Sequence, residues 1–418
     1  MTKVLITGMG AISPLGADLQ STFDAALAGH CAIGAAPPQI GKWLANTLVA
    51  SAPDPEPLLD GKCAALDRAT QFALVAAQAA MADAGIEANP ADARRFGVYA
   101  GIGFGGAQTV DGLYERFYTN LHDPAQAGRN PTVMHPLSVP RMMANAPAAL
   151  VSMRYGLHGA SHTYSVACAS SAVAIGEAFR AIRDGYLDAA IVVGTEAMLT
   201  PGSMMAWNAL RVMARPNADD PARSCRPFSQ DRTGFVLGEG AAAIVLESEA
   251  RVRARGHRVL GELCGYGSTS DADHLTAPST DEQVRAMQQA LGQAGMTPDQ
   301  IQYLNAHGTA TDAGDVVETQ SIRTVFGDAA ARLAVSSTKS MHGHLIGASG
   351  ILEFAISMMA MQQGDLPPTA TLEVPDPRCD LDFIPRTARR GVKVDAVMSN
   401  SFAFGGSNVS LLARRYSA

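Results

Sequence analysis

Two stretches of the sequence resemble each other and decide the fold: Ser165-Val-Ala-Cys-Ala-Ser-Ser171 and Ser336-Ser-Thr-Lys-Ser-Met-His-Gly-His344. Each follows an extended segment and leads through small polar residues into an apolar helix that ends near a glycine, Gly185 or Gly364. A strand–turn–helix unit that occurs twice in one chain indicates an internal duplication, although two ordinary βα units could look alike by coincidence. We therefore predict two similar halves.

Short apolar runs predict buried strands around these stretches. They lie at residues 4–7, 98–100, 190–193, 242–246, 303–304, 333–335, 396–398 and 409–412. Helix-length segments separate several of them, and this alternation predicts an α/β fold with mostly parallel sheets. The length of 418 residues also exceeds what one hydrophobic core usually serves.

The junction between the halves is expected in the charged stretch 248–257. It divides the chain into an N-terminal half, residues 1–250, and a C-terminal half, residues 251–418. Residues 35–57 are rich in proline and small side chains, which predicts irregular surface structure. The first residues are broken by glycine too early for a signal peptide, and no apolar run is long enough for a membrane span.

Composition narrows the function class. A net charge of -7 without a long basic run argues against a nucleic-acid-binding protein. The cysteines are scattered without a CxxC pair, so we expect reduced thiols in a cytoplasmic protein rather than a disulfide framework. They are Cys31, Cys63, Cys168, Cys225, Cys264 and Cys379.

Cys168 lies where a predicted strand turns into a predicted helix. Unsatisfied N–H groups and the positive end of the helix dipole favour a thiolate at such a position. The turn also presents the sulfur at the sheet edge, as nucleophile elbows do. Most cysteines are buried and structural, and we interpret the other five in this way. Cys168 is therefore the candidate nucleophile.

Two histidines follow predicted strands and are flanked by glycine, which permits close approach of a ligand. They are His307, in Asn305-Ala-His-Gly-Thr-Ala-Thr311, and His344. The spacing of His342 and His344 could suggest a metal site, but no further ligands are in register, so no metal is predicted. Ordinary hydrogen-bonded histidines are expected at His30, His122 and His257.

Two glycine-rich stretches and one acidic residue need separate interpretation. Phe402-Ala-Phe-Gly-Gly-Ser-Asn408 is either an ordinary turn or a loop whose N–H groups approach a reacting carbonyl. Gly101-Ile-Gly-Phe-Gly-Gly106 matches GxGxxG but lacks the acidic residue that a dinucleotide site requires. Glu353 lies in an apolar helix, so it should pair with a cation or be protonated.

Together these features resemble the elongating type II β-ketoacyl-acyl-carrier-protein synthases, part of the type I/II group of the thiolase superfamily. The resemblance covers essentially the whole chain. It rests on motifs at residues 167–171, 234–240, 305–311, 337–340 with 343–348, and 400–406. It implies an α/β, thiolase-like fold, in which two duplicated βαβαβαββ halves form a five-layer αβαβα arrangement, usually as a homodimer.

The resemblance also implies an activity, the decarboxylative Claisen condensation of fatty acid elongation. Cys168 would accept the acyl chain from acyl carrier protein as a thioester. His307 and His344 would stabilise the enolate formed when malonyl thioester loses carbon dioxide. The N–H groups of Cys168 and Phe404 would form an oxyanion hole, with the Phe404 ring as the gate to the acyl pocket. Lys339 would support the histidines electrostatically.

Further residues are assigned by the same resemblance. Glu353 would belong to the histidine site, Thr309 and Thr311 would bind phosphopantetheine, and Val110 and Trp207 would line the acyl pocket. The bulk of Trp207 predicts a pocket unsuited to long saturated chains, unless the ring simply packs in the core. No cofactor is expected, because phosphopantetheine arrives on the carrier protein.

Carrier docking is expected at Arg129 and Arg211, with Arg215 as a further candidate, because few basic residues surround Lys62 and Arg68.

Three positions depart from the family pattern. His342 stands where a small polar residue is common, Asp312 where proline is frequent, and Ala403 replaces a glycine of the gate loop and could stiffen it. No reacting group is lost, so these changes bear on substrate range and rate.

Three alternatives remain open. A ketosynthase subunit of a polyketide or polyene pathway would keep every catalytic residue and could pair with a related subunit as a heterodimer. A thiolase would carry a second catalytic cysteine, which Pro377-Arg-Cys-Asp-Leu381 does not resemble. A non-catalytic chain-length factor would lack the nucleophile, whereas Cys168 is present.

Overall fold

The computed structural model describes residues 2–42, 44, 47–63, 65–126 and 134–417. The strands are β1 (Val4–Ile12), β2 (Gly34–Ala35), β3 (Leu48–Ala50), β4 (Phe96–Gly101), β5 (Ser161–Tyr164), β6 (Ala189–Glu196), β7 (Leu237–Gly238), β8 (Gly240–Ser248), β9 (Gly261–Ser270), β10 (Tyr303–Asn305), β11 (Ala334–Ser336), β12 (Ala396–Phe402) and β13 (Ser407–Arg414).

The helices are α1 (Leu19–Leu27), α2 (Pro38–Gly41), α3 (Arg68–Asp83), α4 (Ala107–His122), α5 (Ser138–Met142), α6 (Ala146–Tyr155), α7 (Ser170–Arg183), α8 (Pro201–Ala209), α9 (Glu249–Arg255), α10 (Thr280–Ala294), α11 (Asp312–Phe326), α12 (Lys339–His342) and α13 (Ser349–Gln363). Within the described residues, no helix is long and apolar enough to cross a membrane.

The sheet topology repeats itself, which confirms the predicted duplication. Ten strands form one sheet in the order β11-β10-β12-β13-β9-β1-β8-β6-β4-β5. Each half contributes five strands to this sheet. From the outer edge of the sheet to its centre, they are the third, second, fourth, fifth and first of those five in chain order. The strand directions also correspond, because β4 and β10 pair in parallel with both neighbours, whereas β8 and β13 pair antiparallel with theirs.

Alternate residues of the central strands face different cores, which produces the layers. In β6, Val192 packs with α7 and α13, whereas Ile191 packs with α3. In β12, Val397 faces the same α7 and α13 core, whereas Met398 packs with α10 and α11. Helices α7 and α13 therefore lie between the two halves of the sheet, whereas α3 and α6 cover one outer face and α10 and α11 cover the other. This is the expected five-layer α/β architecture.

The halves meet edge to edge, because β1 pairs antiparallel with β9 at Val4 and Leu263. The chain passes from one half to the other through α9. The division near residue 250 remains a proposal, since the two halves share one continuous sheet.

Two expectations about the strands were wrong. The sheet is mixed rather than mostly parallel, because β8 and β13 turn back against their neighbours. Apolar runs report burial, and strands buried on both faces can run in either direction. Residues 35–57 are not simply irregular, because Leu48, Val49 and Ala50 form the buried strand β3, which pairs with β2 and β7.

Each of the eight predicted apolar runs overlaps a strand, but β9 gave no such signal. Its sequence contains Gly265 and Gly267, which weaken a strand pattern. The structure shows why glycine is needed there: a Cβ atom at Gly267 would lie 1.8 Å from the carbonyl oxygen of Ala286 in α10. Because α10 packs so closely, β9 has glycine at positions where apolar side chains would otherwise have indicated a strand.

Candidate active site

Equivalent turns of the two halves bring the candidate nucleophile and one histidine together. Cys168 lies in a 3-10 turn, Ala167–Ala169, between β5 and α7. His344 precedes the corresponding turn, Ile346–Ala348, between α12 and α13. The distance from His344 Nε2 to Cys168 Sγ is 3.0 Å. The duplicated fold thus places these two side chains face to face.

His307 completes the group from the loop after β10. The His307 and His344 ring centroids are 5.5 Å apart with nearly perpendicular planes. One ligating atom from each of Cys168, His307 and His344 lies within 4.8 Å of the others. A soft metal ion could use the same three atoms, but it would then occupy the thiol. All three side chains line one open cavity.

Burial controls the protonation of Cys168. Burial raises the pKa of the Cys168 thiol to about 12, while the Lys339 charge and N–H groups of Phe404 and Cys168 itself lower that pKa. The expected thiolate preference at the helix start is therefore outweighed in the resting enzyme. The same N–H groups lie where an oxyanion on an acyl-Cys168 would form, as the resemblance implies.

The tautomer of His344 follows from its hydrogen bonds. Its Nδ1 atom accepts from the N–H of Ile346 at 3.3 Å and contacts Ser349 Oγ at 2.9 Å. The Ser349 hydroxyl oxygen accepts from the N–H of Leu345, so its proton is free to point at Nδ1. In a neutral imidazole the proton must then sit on Nε2, which faces Cys168. His344 therefore presents an N–H donor to the cavity.

Hydrogen bonds to its backbone fix the position of His307. The carboxylate of Glu318 accepts the N–H groups of His307 at 2.8 Å and Gly308 at 2.7 Å. Within the part of the chain that the structure describes, the buried Nδ1 atom of His307 has no hydrogen-bond partner. A buried polar atom without a partner is costly, and a bound ligand could satisfy it.

Lys339 and Glu353 form a fully buried ion pair with Nζ and Oε1 2.5 Å apart. Lys339 is the cation that the position of Glu353 required. Burial raises the pKa of Glu353 to about 7, although the Lys339 charge opposes this. His342 lies beside the pair and contacts the carbonyl of Gly343 and Thr338 Oγ1. His342 is thus fully buried and does not line the cavity that Cys168, His307 and His344 share.

The His307 and His344 imidazoles should both remain neutral well into the acidic range. Burial and the Lys339 charge hold the pKa of His307 and His344 well below the usual value of 6.5. A lowered pKa means that the neutral form persists to lower pH, so the acid limb of kcat/KM should lie below pH 6.5. The double variant Lys339→Met, Glu353→Gln removes the Lys339 charge, one cause of the lowered histidine pKa values, without leaving an unpaired carboxylate. It should move the acid limb to higher pH. An identical pH profile would contradict this.

The candidate residues line a cavity of about 220 Å³. Cys168, His307 and His344 share it with Thr309, Thr311 and Phe404. The hydroxyl oxygens of the two threonines are 3.0 Å apart. The cavity therefore connects the reactive group with the residues expected to bind phosphopantetheine.

The two expected acyl-pocket residues, Val110 and Trp207, do not line this cavity. Trp207 lies behind the gate, with its ring stacked on Phe404 at a centroid distance of 6.4 Å and edge-on to Phe235 at 5.7 Å. Its indole N–H donates to Met198 Sδ at 3.0 Å. Trp207 is thus in contact with the gate, and its role toward the acyl chain remains a proposal.

The expected docking residues are only partly described. Arg211 and Arg215 are exposed and line a second cavity of about 770 Å³, which shares Thr311 with the first. Arg129 lies outside the described residues. Arg68 forms a partly buried ion pair with Glu239 at 2.8 Å, which neutralises part of its charge.

Sequence reasoning missed several residues that hold the site. Glu318 fixes the backbone of His307, Ser349 fixes the ring of His344, and Glu196 accepts N–H groups from two loops beside the site. Each lies in an ordinary helix or strand, and its role depends on contacts between distant segments. Glu318 could have been suspected only as an acidic residue on a buried helix face.

Comparison with known proteins agrees with this geometry. The family model "Beta-ketoacyl synthase, N-terminal domain" matches residues 1–251, and "Beta-ketoacyl synthase, C-terminal domain" matches residues 260–373. The 3-oxoacyl-acyl-carrier-protein synthase 2 of Synechocystis sp. is 40% identical over 423 residues, which cover 99% of this chain and 98% of that protein.

Solved structures show the same similarity. A beta-ketoacyl synthase from Burkholderia phymatum has a TM-score of 0.89 at 35% identity, with 100% of both chains covered. A type II PKS acyl-carrier protein complex with its ketosynthase gives a TM-score of 0.87 at 26% identity, also with 100% coverage of both chains. Sequence, fold and site geometry agree, and the chain belongs to the β-ketoacyl synthase family.

Proposed function

We propose that the protein is a β-ketoacyl-acyl-carrier-protein synthase that elongates fatty acyl chains. It would join an acyl group on Cys168 to malonyl-carrier protein by decarboxylative Claisen condensation. One observation carries the proposal: His344 Nε2 lies 3.0 Å from Cys168 Sγ, beside His307, in a single cavity. No cofactor is required, because phosphopantetheine enters on the carrier protein.

In the first half-reaction, Cys168 attacks the thioester carbonyl of the acyl carrier. The S–H bond of Cys168 breaks, a new S–C bond forms, and the proton leaves with the phosphopantetheine thiol. His344 donates its Nε2–H toward the sulfur and so stabilises the developing thiolate. The N–H groups of Cys168 and Phe404 stabilise the oxyanion of the tetrahedral intermediate.

In the second half-reaction, malonyl-carrier protein takes the place of the free carrier. Its thioester oxygen accepts hydrogen bonds from His307 and His344. The bond to the carboxylate breaks, carbon dioxide leaves, and the electron pair forms an enolate that both imidazoles stabilise. The enolate carbon attacks the acyl carbonyl, which forms the C–C bond and expels the Cys168 thiolate, later protonated from solvent.

The experiment that tests this function supplies the protein with malonyl-carrier protein and acyl carriers of graded length. Mass spectrometry should detect acyl-Cys168 enzyme and then a β-ketoacyl product two carbons longer. Failure of every acyl carrier to label the enzyme would favour a non-catalytic subunit. Repeated extension without reduction would favour a polyketide ketosynthase, an alternative consistent with the likeness to the type II PKS complex.

The proposed partner is an acidic acyl carrier protein that docks at the exposed Arg211 and Arg215. We expect Arg211→Glu to raise KM for carrier-bound substrates by about tenfold with little change in kcat, since charge reversal weakens encounter with an anion. Arg94→Glu is the control, because this exposed arginine lines a different cavity. Unchanged carrier kinetics in Arg211→Glu would refute the docking site.

Trp207 is proposed to limit the acyl chain, because its buried ring fills the space behind Phe404. We expect the wild type to prefer a C6 over a C16 primer by at least about tenfold, a discrimination that apolar pockets can supply. Trp207→Ala should reduce this preference, whereas Met205→Ala, on the exposed side of the same helix, should not. Comparable wild-type rates on both primers would refute the proposal.

A cytoplasmic homodimer is proposed as the working form. Strand β5 lies at one edge of the ten-stranded sheet, with Ser161 and His162 exposed. Such an edge offers unpaired N–H and C=O groups to another strand. Nearby exposed apolar side chains such as Phe104 and Met153 favour a protein partner. A second copy would use the same edge by symmetry, and a related subunit would give a heterodimer instead.

A further inference from the structure

Glu196 is a buried carboxylate close to the active site. It ends β6 and has 0% of its surface exposed. Its Oε2 atom accepts the N–H groups of Gly103 at 2.7 Å and Gly347 at 3.0 Å, and its Oε1 atom accepts that of Phe104 at 3.4 Å. Three backbone donors from two distant loops therefore converge on one side chain.

The glycines of these loops are needed for that convergence. A Cβ atom at Gly103 would lie 2.5 Å from Glu196 Oε2, and one at Gly347 would lie 2.8 Å from the same atom. Only glycine lets both backbones approach the carboxylate so closely. The GxGxxG stretch at residues 101–106 therefore binds a carboxyl group through the N–H groups of Gly103 and Phe104. That carboxyl group belongs to a side chain of the same protein, and burial raises its pKa to about 7.

The loops held by Glu196 also hold the reacting residues. Gly347 lies in the turn Ile346–Ala348, and the N–H of Ile346 in that turn donates to His344 Nδ1. Ile346 has a φ of +43°, an unfavourable value for a β-branched residue, so the turn needs support. On the other side, the carbonyl of Gly103 accepts the hydroxyl of Ser165, three residues before the nucleophile.

We propose that Glu196 is a positioning residue that sets the tautomer of His344. By binding Gly103 and Gly347 together, it keeps the N–H of Ile346 on His344 Nδ1. The imidazole proton then stays on Nε2, where the thiol and the malonyl carbonyl need a donor. The inference rests on the role proposed for His344.

The test compares Glu196→Gln with Glu247→Gln, which alters a buried glutamate of β8 bonded to Thr7 and Arg251. Glutamine keeps the size of Glu196, but its NH₂ group cannot accept a hydrogen bond and must face either the N–H of Phe104 or the N–H groups of Gly103 and Gly347. We expect Glu196→Gln to lower kcat for malonyl decarboxylation by about 10²-fold, the effect of a small misplacement of a reacting group, with KM unchanged. Glu247→Gln should lower only Tm.

A second readout does not depend on activity. In ¹⁵N-histidine-labelled protein, the His344 ring signals, identified by their loss in His344→Ala, should show Nε2–H in the wild type and a mixture of tautomers in Glu196→Gln. Wild-type tautomer and decarboxylation rate in Glu196→Gln, with only Tm reduced, would overturn the proposal.

A folding failure of Glu196→Gln and a failure of the role proposed for His344 can be distinguished from a failure of this proposal. If Glu196→Gln does not fold, Gly103→Ala tests the same contact from the loop side, with the same expected shift. If His344→Ala decarboxylates malonyl-carrier protein as fast as the wild type, the role of His344 fails, whereas the tautomer measurement still decides the role of Glu196.

Discussion

Replacing Cys168 by alanine should lower the condensation rate by at least about 10⁴-fold, because the acyl-enzyme can no longer form. The thiol is the only group in the cavity described here that can carry a thioester. Intact-mass spectrometry should show no acyl adduct on Cys168→Ala under conditions that label the wild type fully. Steady-state kinetics with a C6 primer and malonyl-carrier protein give the rate.

Decarboxylation of malonyl-carrier protein should survive in the same variant. We propose that His307 and His344 stabilise the enolate. Glu318 accepts the backbone N–H of His307 and Ser349 contacts the His344 ring, and neither contact involves the thiol. Cys225→Ala is the matched control, because Cys225 is also fully buried yet does not line the reactive cavity. An acyl adduct on Cys168→Ala, or loss of the adduct in Cys225→Ala, would contradict the assignment.

The duplication explains why the reacting pair could be found from sequence. Cys168 lies in the turn before α7, and His344 lies just before the equivalent turn that leads into α13. Each turn contains a non-glycine residue with positive φ, Ala167 at +50° and Ile346 at +43°. The small residues that permit these turns are visible in the sequence. Local patterns therefore predicted both turns, and the resemblance to the family indicated that the two turns form one site.

Contacts between distant segments could not be predicted in the same way. Glu196 and Glu318 act by accepting backbone N–H groups, and a backbone donor leaves no trace in its own side chain. The glycine pattern at residues 101–106 did indicate a loop that binds an acceptor group, but the sequence could not show that this group is a side chain of the same protein. The antiparallel pairing of β8 and β13 was not predicted, because burial patterns do not encode strand direction.

The protonation of Cys168 is a further case in which three-dimensional context overrides a local rule. The start of α7 favours a thiolate, but burial of the sulfur raises its pKa to about 12. Because the thiolate is the reactive form, a neutral Cys168 thiol is expected to react slowly with alkylating agents. Deprotonation is then coupled to substrate attack, when the proton can leave with the carrier thiol.

His307→Ala should separate the two half-reactions. We expect kcat for malonyl decarboxylation to fall by about 10²- to 10³-fold, the usual effect of removing one donor to a developing oxyanion. Acylation of Cys168 should be largely retained, because its oxyanion is bound by the N–H groups of Cys168 and Phe404. His307→Asn keeps a side-chain N–H donor and should recover part of the lost rate.

The measurement pairs release of carbon dioxide with the rate of acyl-enzyme formation, each under single-turnover conditions. His257→Ala is the control, since that ring bonds to the carbonyl of Asp83 and lies outside the reactive cavity. Equal losses in both half-reactions of His307→Ala would mean that the variant disturbs Cys168 or the fold. Normal decarboxylation would instead show that His344 alone stabilises the enolate, and the unpartnered Nδ1 of His307 would need another explanation.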